Sequence, residues 1–438
     1  MSGESYSFDE FMMLFFFMKG YFETMKKMFV IIGRIFAFLL LMIFCLPVCL
    51  LPKATAVPEW IWIPLAVIEI ALIVLFFASK PAARATFIPL LGTLLIAVLS
   101  VLVSKWYAMT PPITDQAGNV IAGSIATLEK VELNGSQQWI SIRGKDASKP
   151  LLLFLAGGPG GTQMSTERYN LAELEDYFVV VNWEQPGAGK SFDAVKRSTI
   201  TVDRYIEDGH ELVQQLKQRF DQEKVYVLGE SWGSALGIML VQKYPEDFFA
   251  FIGTGQMIAF LDTDLKDYYF AIDLAKQSDD KAKVEKLVKQ GPPPYYGKGM
   301  SWKEAAFLMD TYNYMNANPE IARDNGNTFR DLAAPEYGLY DKLCYFLGVI
   351  KTLDVVYPQL WDVDFRTQAT KLDVPVYFLI GRHDINAPTE FVEQYIEVLD
   401  APHKEIVWFE HSGHNPWVSE ADRFVDVMVE TVLTQTQP

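Results

Sequence analysis

Ser231 stands in a sequence pattern that is typical of a catalytic nucleophile. The segment Gly229-Glu230-Ser231-Trp232-Gly233 has the form G-x-S-x-G, follows an apolar run at Lys224–Leu228 and precedes a helical pattern near residues 232–244. A serine on such a sharp strand-to-helix turn stands at the top of a sheet, and the glycines leave room for its strained backbone. Because a serine hydroxyl is a weak nucleophile at neutral pH, this site requires a base.

His414 and Asp384 are the candidates for the base and for the acid that orients it. His414 ends the segment His411-Ser412-Gly413-His414 after the last predicted strand, so this loop can bring an imidazole over Ser231, with His411 as the alternative. Asp384 follows another predicted strand, where its alternative role is to cap the helix that begins at Pro388. The chain order Ser231, Asp384, His414 is the order of an α/β-hydrolase and differs from that of chymotrypsin or subtilisin.

A glycine-rich loop can complete an acyl-transfer site. An oxyanion hole needs backbone N–H groups aimed at the developing negative charge. The N–H of Trp232 is one expected donor, and the loop Gly157-Gly158-Pro159-Gly160-Gly161 is expected to supply a second. This loop lacks the Lys-Ser/Thr ending of a phosphate-binding loop, and the histidine pair at 411 and 414 lacks the neighbouring ligands of a metal site. We therefore expect neither a metal nor a cofactor.

Strand and helix patterns alternate from residue 106 onward, which predicts a doubly wound, mostly parallel sheet. The first two strands are close enough in sequence to form an antiparallel hairpin, and the later ones are short apolar runs, as expected for strands that are buried on both faces. The predicted strands are Glu129–Leu133, Gln138–Arg143, Pro150–Leu155, Phe178–Trp183, Lys224–Leu228, Phe248–Ile252, Val374–Ile380 and Lys404–Phe409, and the helices lie near 201–219, 232–244, 389–399 and 418–435.

A long insertion interrupts this alternation between residues 258 and 371. The segment has a helical pattern, is rich in Tyr and Trp and contains no clear core strand. It is far longer than the usual connection of about 2–6 residues, so it predicts an inserted helical cap. The expected domains are therefore a hydrolase core formed by residues 106–257 and 372–438 and a cap formed by residues 258–371.

The first 105 residues contain three apolar runs, at about 28–52, 58–79 and 85–104. Each run has about the 20 residues that a helix needs to cross a bilayer, so together they predict a three-span membrane anchor. A shorter run, Phe11 to Met18, predicts an interfacial helix. Cleavage after Ala54-Thr55-Ala56, as in a signal peptide, is the alternative to an anchor. Arg34 and Glu69 fall inside the spans, where they either pair or stand apart, with Arg34 reaching the interface.

Basic residues predict the orientation of the anchor. Lys19, Lys26 and Lys27 precede the first span, and Lys80 and Arg84 lie between the second and third. The positive-inside rule then places the N-terminus in the cytoplasm, and three crossings place everything after Lys105 outside it. The bilayer is therefore an expected partner of this protein.

Charge divides the chain at the same point. The net charge of the whole sequence is −16, but residues 1–105 carry +2 and the remaining 333 residues carry −18. Nucleic-acid binding needs a basic face, so this acidic part makes a nucleic-acid partner improbable. The 50% share of hydrophobic residues excludes disorder, and the three cysteines are too few for a disulfide scaffold.

Three motifs together resemble the α/β-hydrolases of the prolyl aminopeptidase (proline iminopeptidase) group. In that group the motifs read HGGPGG, DQRGxGxS and GGSWGS, and here they read AGGPGG at 156–161, EQPGAGKS at 184–191 and GESWGS at 229–234. The resemblance spans roughly residues 125–255 and 370–435. It implies Ser231 as nucleophile, Asp384 as acid and His414 as base. It also implies the N–H groups of Gly158 and Trp232 as the oxyanion hole.

The departures from the family motifs fall around the substrate pocket and leave the triad intact. Ala156 replaces a histidine, Pro186 an arginine and Glu230 a glycine. The family holds the free amine of its substrate with acidic cap groups, for which Glu304 and Glu230 are the candidates here. The expected function is a membrane-anchored aminopeptidase for short peptides. A hydrolase of acyl esters near the membrane is the alternative, and an inactive receptor or scaffold is a third reading.

Overall fold

The chain divides into two compact units, Met1–Ala108 and Met109–Pro438, in the computed structural model. The structure describes residues 8–79, 83–322 and 326–436. Lys80, one of the basic residues that predict the orientation of the anchor, lies outside the described residues, and so does the side chain of Arg84.

The first unit consists of three helices, α1 (Phe8–Ala54), α2 (Glu59–Ala78) and α3 (Ala83–Trp106). Each contains a segment that is long and apolar enough to span a membrane. The three apolar helices predicted at the N-terminus are therefore confirmed. Large apolar side chains remain exposed along all three, as expected for helices whose partner is hydrocarbon.

The segment Phe11 to Met18, for which we predicted an interfacial helix, is helical and continuous with the rest of α1. Its position at a membrane interface stays a prediction. Lys19 and Gly20, which follow the short apolar run, do not interrupt the helix. A glycine inside a helix costs only about 1 kcal/mol relative to alanine, and the first proline within α1 is Pro47.

Of the two alternatives for Arg34 and Glu69, the structure favours the one in which they stand apart, since no ion pair joins them among the described residues. The Arg34 guanidinium instead donates to the carbonyl oxygens of Phe76, at 2.6 Å, and Ser79, at 3.0 Å. These carbonyls lie at the C-terminal end of α2, where the last carbonyls of a helix lack intrahelical partners and carry partial negative charge. The end of α2 therefore provides the hydrogen-bond acceptors of the Arg34 guanidinium.

The second unit is built on an eight-stranded sheet in the order β1-β2-β4-β3-β5-β6-β7-β8. β1 and β2 are antiparallel to their neighbours, and the strands from β4 and β3 to β8 run parallel to one another. All eight predicted strands are present, with limits that differ from the prediction by a few residues. They are β1 (Ile125–Leu133), β2 (Ser136–Gly144), β3 (Leu151–Leu155), β4 (Val179–Glu184), β5 (Val225–Glu230), β6 (Phe248–Thr254), β7 (Val376–Gly381) and β8 (Lys404–Phe409).

The apolar runs of the central strands serve two separate cores, one on each face of the sheet. In β3, Leu151, Leu153 and Leu155 belong to one hydrophobic cluster, whereas Leu152 and Phe154 belong to the other. Successive side chains of a strand point to opposite faces, so a strand covered on both sides must be apolar at every position. This burial holds the C-terminal ends of β5, β7 and β8 at one edge, where Ser231, Asp384 and His414 follow them.

Helices cover the sheet and form the segment between β6 and β7. The described residues of that segment add no strand to the sheet, while the division of core and cap at residues 258 and 371 stays a prediction. The helices are α4 (Met164–Asn170), α5 (Val202–Phe220), α6 (Trp232–Lys243), α7 (Phe260–Gln277), α8 (Lys281–Gln290), α9 (Met300–Ala317), α10 (Thr328–Ala333), α11 (Leu339–Val356), α12 (Phe365–Gln368), α13 (Thr389–Val398), α14 (Pro416–Ser419), α15 (Ala421–Asp426) and α16 (Thr434–Thr436).

The helical stretch predicted near residues 418–435 is confirmed over most of its length, because the chain is helical from α15 through a π-helical stretch at Val427–Leu433 to α16. Glu420 separates the short α14 from α15. Its Oε2 accepts hydrogen bonds from the backbone N–H of His411, at 3.0 Å, and from the Ser412 hydroxyl, at 2.6 Å. Glu420 therefore anchors the loop that carries His414.

Candidate active site

Ser231 lies on a tight turn between β5 and α6, as the G-x-S-x-G pattern predicts. Its backbone has a φ of +53° and a ψ of −119°, a conformation that residues other than glycine rarely adopt. A Cβ atom at position 229 would lie 2.3 Å from the Gly233 carbonyl oxygen, and one at position 233 would lie 2.0 Å from that of Leu155. Both glycines are therefore required for the turn, which aims Ser231 into a cavity.

Asp384 and His414 are brought together above the ends of β7 and β8. The Nδ1 atom of His414 lies 2.9 Å from Asp384 Oδ2, and both side chains are buried. The other oxygen of Asp384 accepts the N–H of Ala387 at 2.9 Å, so the carboxylate both orients the imidazole and caps the turn before α13. Although burial favours the neutral imidazole, the carboxylates of Asp384 and Glu230 raise the pKa of His414 above its ordinary value.

His411, the alternative base, lies on the surface. Its side chain is exposed, and its Nδ1 lies 3.2 Å from the carbonyl oxygen of Glu320. His414 Nε2 is instead buried, and no hydrogen-bond partner for it exists within residues 8–79, 83–322 and 326–436. The geometry therefore favours His414 as the base.

The two expected oxyanion donors border the same cavity as Ser231. Trp232 is the first residue of α6, where backbone N–H groups lack intrahelical acceptors. In the glycine-rich loop, the N–H of Gly157 is already engaged by Gln163 Oε1 at 3.0 Å. Gly158 has a φ of +132°, and a Cβ there would lie 2.5 Å from the Gly161 nitrogen, so this position accepts only glycine.

The cavity has a volume of about 340 Å³ and two chemically different walls. The core wall carries Ser231, Trp232 and the glycine-rich loop. The opposite wall comes from α7, α9 and α11 and is largely apolar. It is formed by Phe260, Asp264, Glu304, Leu308, Tyr312, Tyr345, Val349, Leu353 and Tyr357, and both predicted substrate-binding residues, Glu230 and Glu304, border the cavity.

Three buried carboxyl groups stand on the helical wall or directly behind it: Asp264 and Asp267 on α7, and Glu304 on α9. Burial raises the pKa of Asp264 to about 6, and it raises the pKa values of Asp267 and Glu304 well above their ordinary range. Asp264 and Glu304 contact each other, so a proton held between them removes one of two like charges. Within the described parts of the chain, neither oxygen of Glu304 has a hydrogen-bond donor.

Sequence reasoning found Glu304 but missed Asp264, Asp267 and their partner Tyr357. The Tyr357 hydroxyl donates to Asp264 Oδ1 at 2.8 Å, while Asp264 Oδ2 and Asp267 Oδ2 lack donors among the described residues. A signal was present in α7. The two aspartates share its buried face with Phe260, Tyr268 and Ala271, and carboxylates on the apolar face of a helix are rarely structural.

The comparisons with known proteins agree with this geometry. The family model Hydrolase_4, described as serine aminopeptidase S33, matches residues 171–310. The chain is 29% identical over 318 residues to the probable aminopeptidase YbaC of Bacillus subtilis, covering 70% of this chain and 96% of that relative. It is 25% identical over 295 residues to a proline iminopeptidase of Saccharolobus solfataricus, covering 64% of this chain and 84% of the relative.

Solved structures share the fold of the second unit. VinJ has a TM-score of 0.53 and 20% identity, covering 71% of this chain and 99% of its own. The proline iminopeptidase of Mycobacterium smegmatis has a TM-score of 0.51 and 17% identity, covering 71% of this chain and 98% of its own. The resemblance stated from the motifs is thereby confirmed: the second unit has the α/β-hydrolase fold, and the chain is similar to proline iminopeptidase-like hydrolases and carries three apolar helices before that unit.

Proposed function

We propose that this protein is a membrane-anchored serine aminopeptidase that removes N-terminal residues from short peptides through an acyl-enzyme on Ser231. The observation that carries the proposal is the pairing of two features in one cavity. The strained Ser231 borders its core side, with the buried Asp384–His414 pair at the ends of the neighbouring strands, and buried carboxyl groups with donor-free oxygens stand on its helical side. The first feature suits acyl transfer, and the second suits an ammonium group.

In the proposed mechanism, Ser231 Oγ attacks the scissile carbonyl carbon while His414 Nε2 takes the hydroxyl proton. The charge moves to the carbonyl oxygen, which accepts hydrogen bonds from the N–H groups of Gly158 and Trp232. Collapse of this intermediate breaks the C–N bond, and the imidazolium gives its proton to the leaving amine. Water then hydrolyses the ester by the same route, and Asp384 holds the tautomer of His414 throughout.

The carboxyl groups of Asp264 and Glu304 are proposed to bind the free amine of the substrate. A buried carboxyl group without a donor loses the hydration of its charged form, and a nearby cation restores that loss. The cavity volume of about 340 Å³ lies at the lower end of the range of about 300–1,000 Å³ for ligand pockets, which favours a short substrate. The apolar side chains of the same wall would contact the side chain of the N-terminal residue.

Three substrate types test this proposal in the full-length chain. An aminoacyl arylamide should be cleaved, whereas the same compound with an acetylated amine should be cleaved poorly, because the acetyl group removes the cation. A short acyl ester provides the third comparison. Efficient ester cleavage with no cleavage of any free-amine substrate would contradict the peptidase and support the ester hydrolase, which the apolar part of the wall also suits.

Labelling of Ser231 by a fluorophosphonate separates an enzyme from an inactive scaffold. The folded wild-type chain should be labelled, and the Ser231→Ala variant should not. If the folded wild-type chain stays unlabelled, the α/β-hydrolase unit is a scaffold and the proposed mechanism is wrong.

The proposed location of the catalytic unit is the outer side of the membrane. The basic residues Lys19, Lys26 and Lys27 precede the first apolar segment, whereas Lys53 alone lies between the first and second. Three crossings from a cytoplasmic N-terminus would place the C-terminus outside. A C-terminal reporter that is active only outside the cytoplasm should therefore be active, and activity of a cytoplasmic reporter at the same position would contradict this orientation.

A further inference from the structure

Glu230 is a buried carboxylate directly before Ser231 that the proposed mechanism does not use. One of its oxygens, Oε2, accepts a hydrogen bond from Gln163 Nε2 at 2.9 Å. The same Gln163 side chain accepts the N–H of Gly157 through its own oxygen at 3.0 Å. Gln163 therefore ties Glu230 to the glycine-rich loop and leaves the second carboxylate oxygen directed elsewhere.

That second oxygen faces the imidazole of His414. Glu230 Oε1 lies 3.6 Å from His414 Nε2, while Asp384 Oδ2 lies 2.9 Å from Nδ1 on the other side of the ring. The imidazole thus lies between two carboxylates, and its Nε2 has no hydrogen-bond partner among the described residues. A neutral imidazole gains little from the second carboxylate, whereas an imidazolium gains a charge-assisted contact.

Few other titratable groups face this cluster in the described part of the chain. The Tyr312 ring of α9 meets the His414 ring edge-on, with centroids 6.0 Å apart. Asp267 of α7 acts on Asp384 as a like charge, and Asp264 and Glu304 lie on the opposite wall of the cavity. These neighbours are acidic or phenolic, so none of them supplies the positive charge that would neutralise Glu230.

We propose that Glu230 is a positioning residue for the base: its carboxylate stabilises the imidazolium form of His414 during acyl transfer. This inference rests on the function proposed above. The proton moves from Ser231 Oγ to His414 Nε2 as the Oγ–C bond forms, and it leaves with the amine as the C–N bond breaks. Burial raises the pKa of Glu230, while His414 and the donor from Gln163 favour its charged form. Glu230 neither gives nor takes a proton in this step, and its charged form stabilises His414 only while the imidazolium exists.

This role differs from the amine binding for which the sequence made Glu230 a candidate. A substrate ammonium needs a carboxylate oxygen that has no hydrogen-bond donor yet, and both oxygens of Glu304 lack one among the described residues. In Glu230 one oxygen is bound by Gln163 and the other is directed at His414. The two roles predict different kinetics, because only a residue that acts through His414 affects substrates with and without an amine alike.

The Glu230→Gln variant tests the proposal through the pH profile of kcat/KM. An opposite charge within about 4–6 Å raises the pKa of a histidine by about one unit or more, so its removal should move the acid limb about one pH unit lower. The kcat should fall about tenfold for the free-amine substrate and for the acyl ester alike, with KM nearly unchanged. The Glu397→Gln variant, which removes an exposed carboxylate on α13, is the matched control and should leave the profile unchanged.

Two results would overturn the proposal. A rise of KM confined to free-amine substrates would show that Glu230 binds the amine. An acid limb at the wild-type pH in the Glu230→Gln variant would show that Glu230 does not act on His414. If Glu230→Gln does not fold, Glu230→Asp carries the test, because it retains the charge one methylene further away and should move the limb in the same direction by less. Fluorophosphonate labelling of wild-type Ser231 distinguishes a failure of this inference from a failure of the proposed function. An unlabelled wild-type chain would overturn the proposed function itself.

Discussion

The two sides of the cavity differ in the hydrogen bonding of their carboxyl groups. Beside the core wall, at the end of β7, both oxygens of Asp384 have hydrogen-bond donors at 2.9 Å, one from His414 and one from Ala387. On the helical wall, neither oxygen of Glu304 has a donor among the described residues. A carboxylate with filled hydrogen bonds holds its neighbour in place, whereas one without donors is suited to receive a cation. We infer that the core wall performs the chemistry and that the helical wall selects the substrate.

The largest effect should come from Ser231→Ala, which removes the nucleophile and leaves the helical wall intact. We expect kcat/KM to fall by at least about 10⁴-fold, since only the oxyanion hole and binding would remain. Binding of an aminoacyl compound, measured by calorimetry, should survive at close to wild-type affinity. Loss of both activity and binding in a folded variant would show that the two walls are not independent.

The next largest effect should come from the opposite wall. Asp264→Asn and Glu304→Gln should each lower kcat/KM for a free-amine substrate by about 30-fold, because a buried ammonium would lose one of its charge partners. Cleavage of the acetylated arylamide and of the acyl ester should change little. Asp273→Asn, an exposed aspartate on α7, is the matched control and should have no effect. An equal loss of kcat/KM for all three substrates would show that these carboxyl groups act in the chemical step and do not select the substrate.

The core wall could be predicted from the sequence because its determinants are local. The glycines beside Ser231 and the apolar runs of β5, β7 and β8 each follow from sterics or burial within a few residues. The chain order of Ser231, Asp384 and His414 then corresponds to one known arrangement. Parallel strands end at a common edge, so residues that follow those strands meet without any knowledge of helix packing.

The helical wall could not be predicted in the same way. Asp264 and Glu304 become neighbours only because α7 packs against α9, and no local pattern records which faces of the two helices meet. Glu304 was found through the family resemblance alone, and Asp264 and Asp267 were missed.

The pH dependence of KM should further distinguish the role of the helical wall from that of the core wall. Ammonium binding requires charged carboxylates, and the pKa of Asp264 lies at about 6. As the pH falls below that value, Asp264 takes up a proton and KM for the free-amine substrate should rise, by up to about tenfold per pH unit. KM for the acyl ester should stay constant over the same range. An identical rise of KM for both substrates would show that the titrating group belongs to the core wall.

The smallest effect should be on thermal stability. Burial raises the pKa of Glu304 well above its ordinary value. The folded chain therefore keeps a proton that the unfolded chain releases above about pH 4.3, and the free energy of unfolding falls as the pH rises from there towards the raised pKa. Glu304→Gln removes this dependence, so its Tm should exceed that of the wild type by a few degrees at pH 8 and by less at pH 5.

The melting experiment has a matched control in Glu285→Gln, which removes an exposed carboxylate on α8 and should leave Tm unchanged at both pH values. A Tm for Glu304→Gln below that of the wild type at pH 8 would mean that the carboxylate stabilises the fold and has no need of a ligand. A higher Tm for Glu304→Gln together with the loss of free-amine selectivity would instead show that the Glu304 carboxyl group lowers stability and contributes to substrate binding. That outcome is expected of a buried carboxyl group without a hydrogen-bond donor, because a bound cation offsets the loss of its hydration.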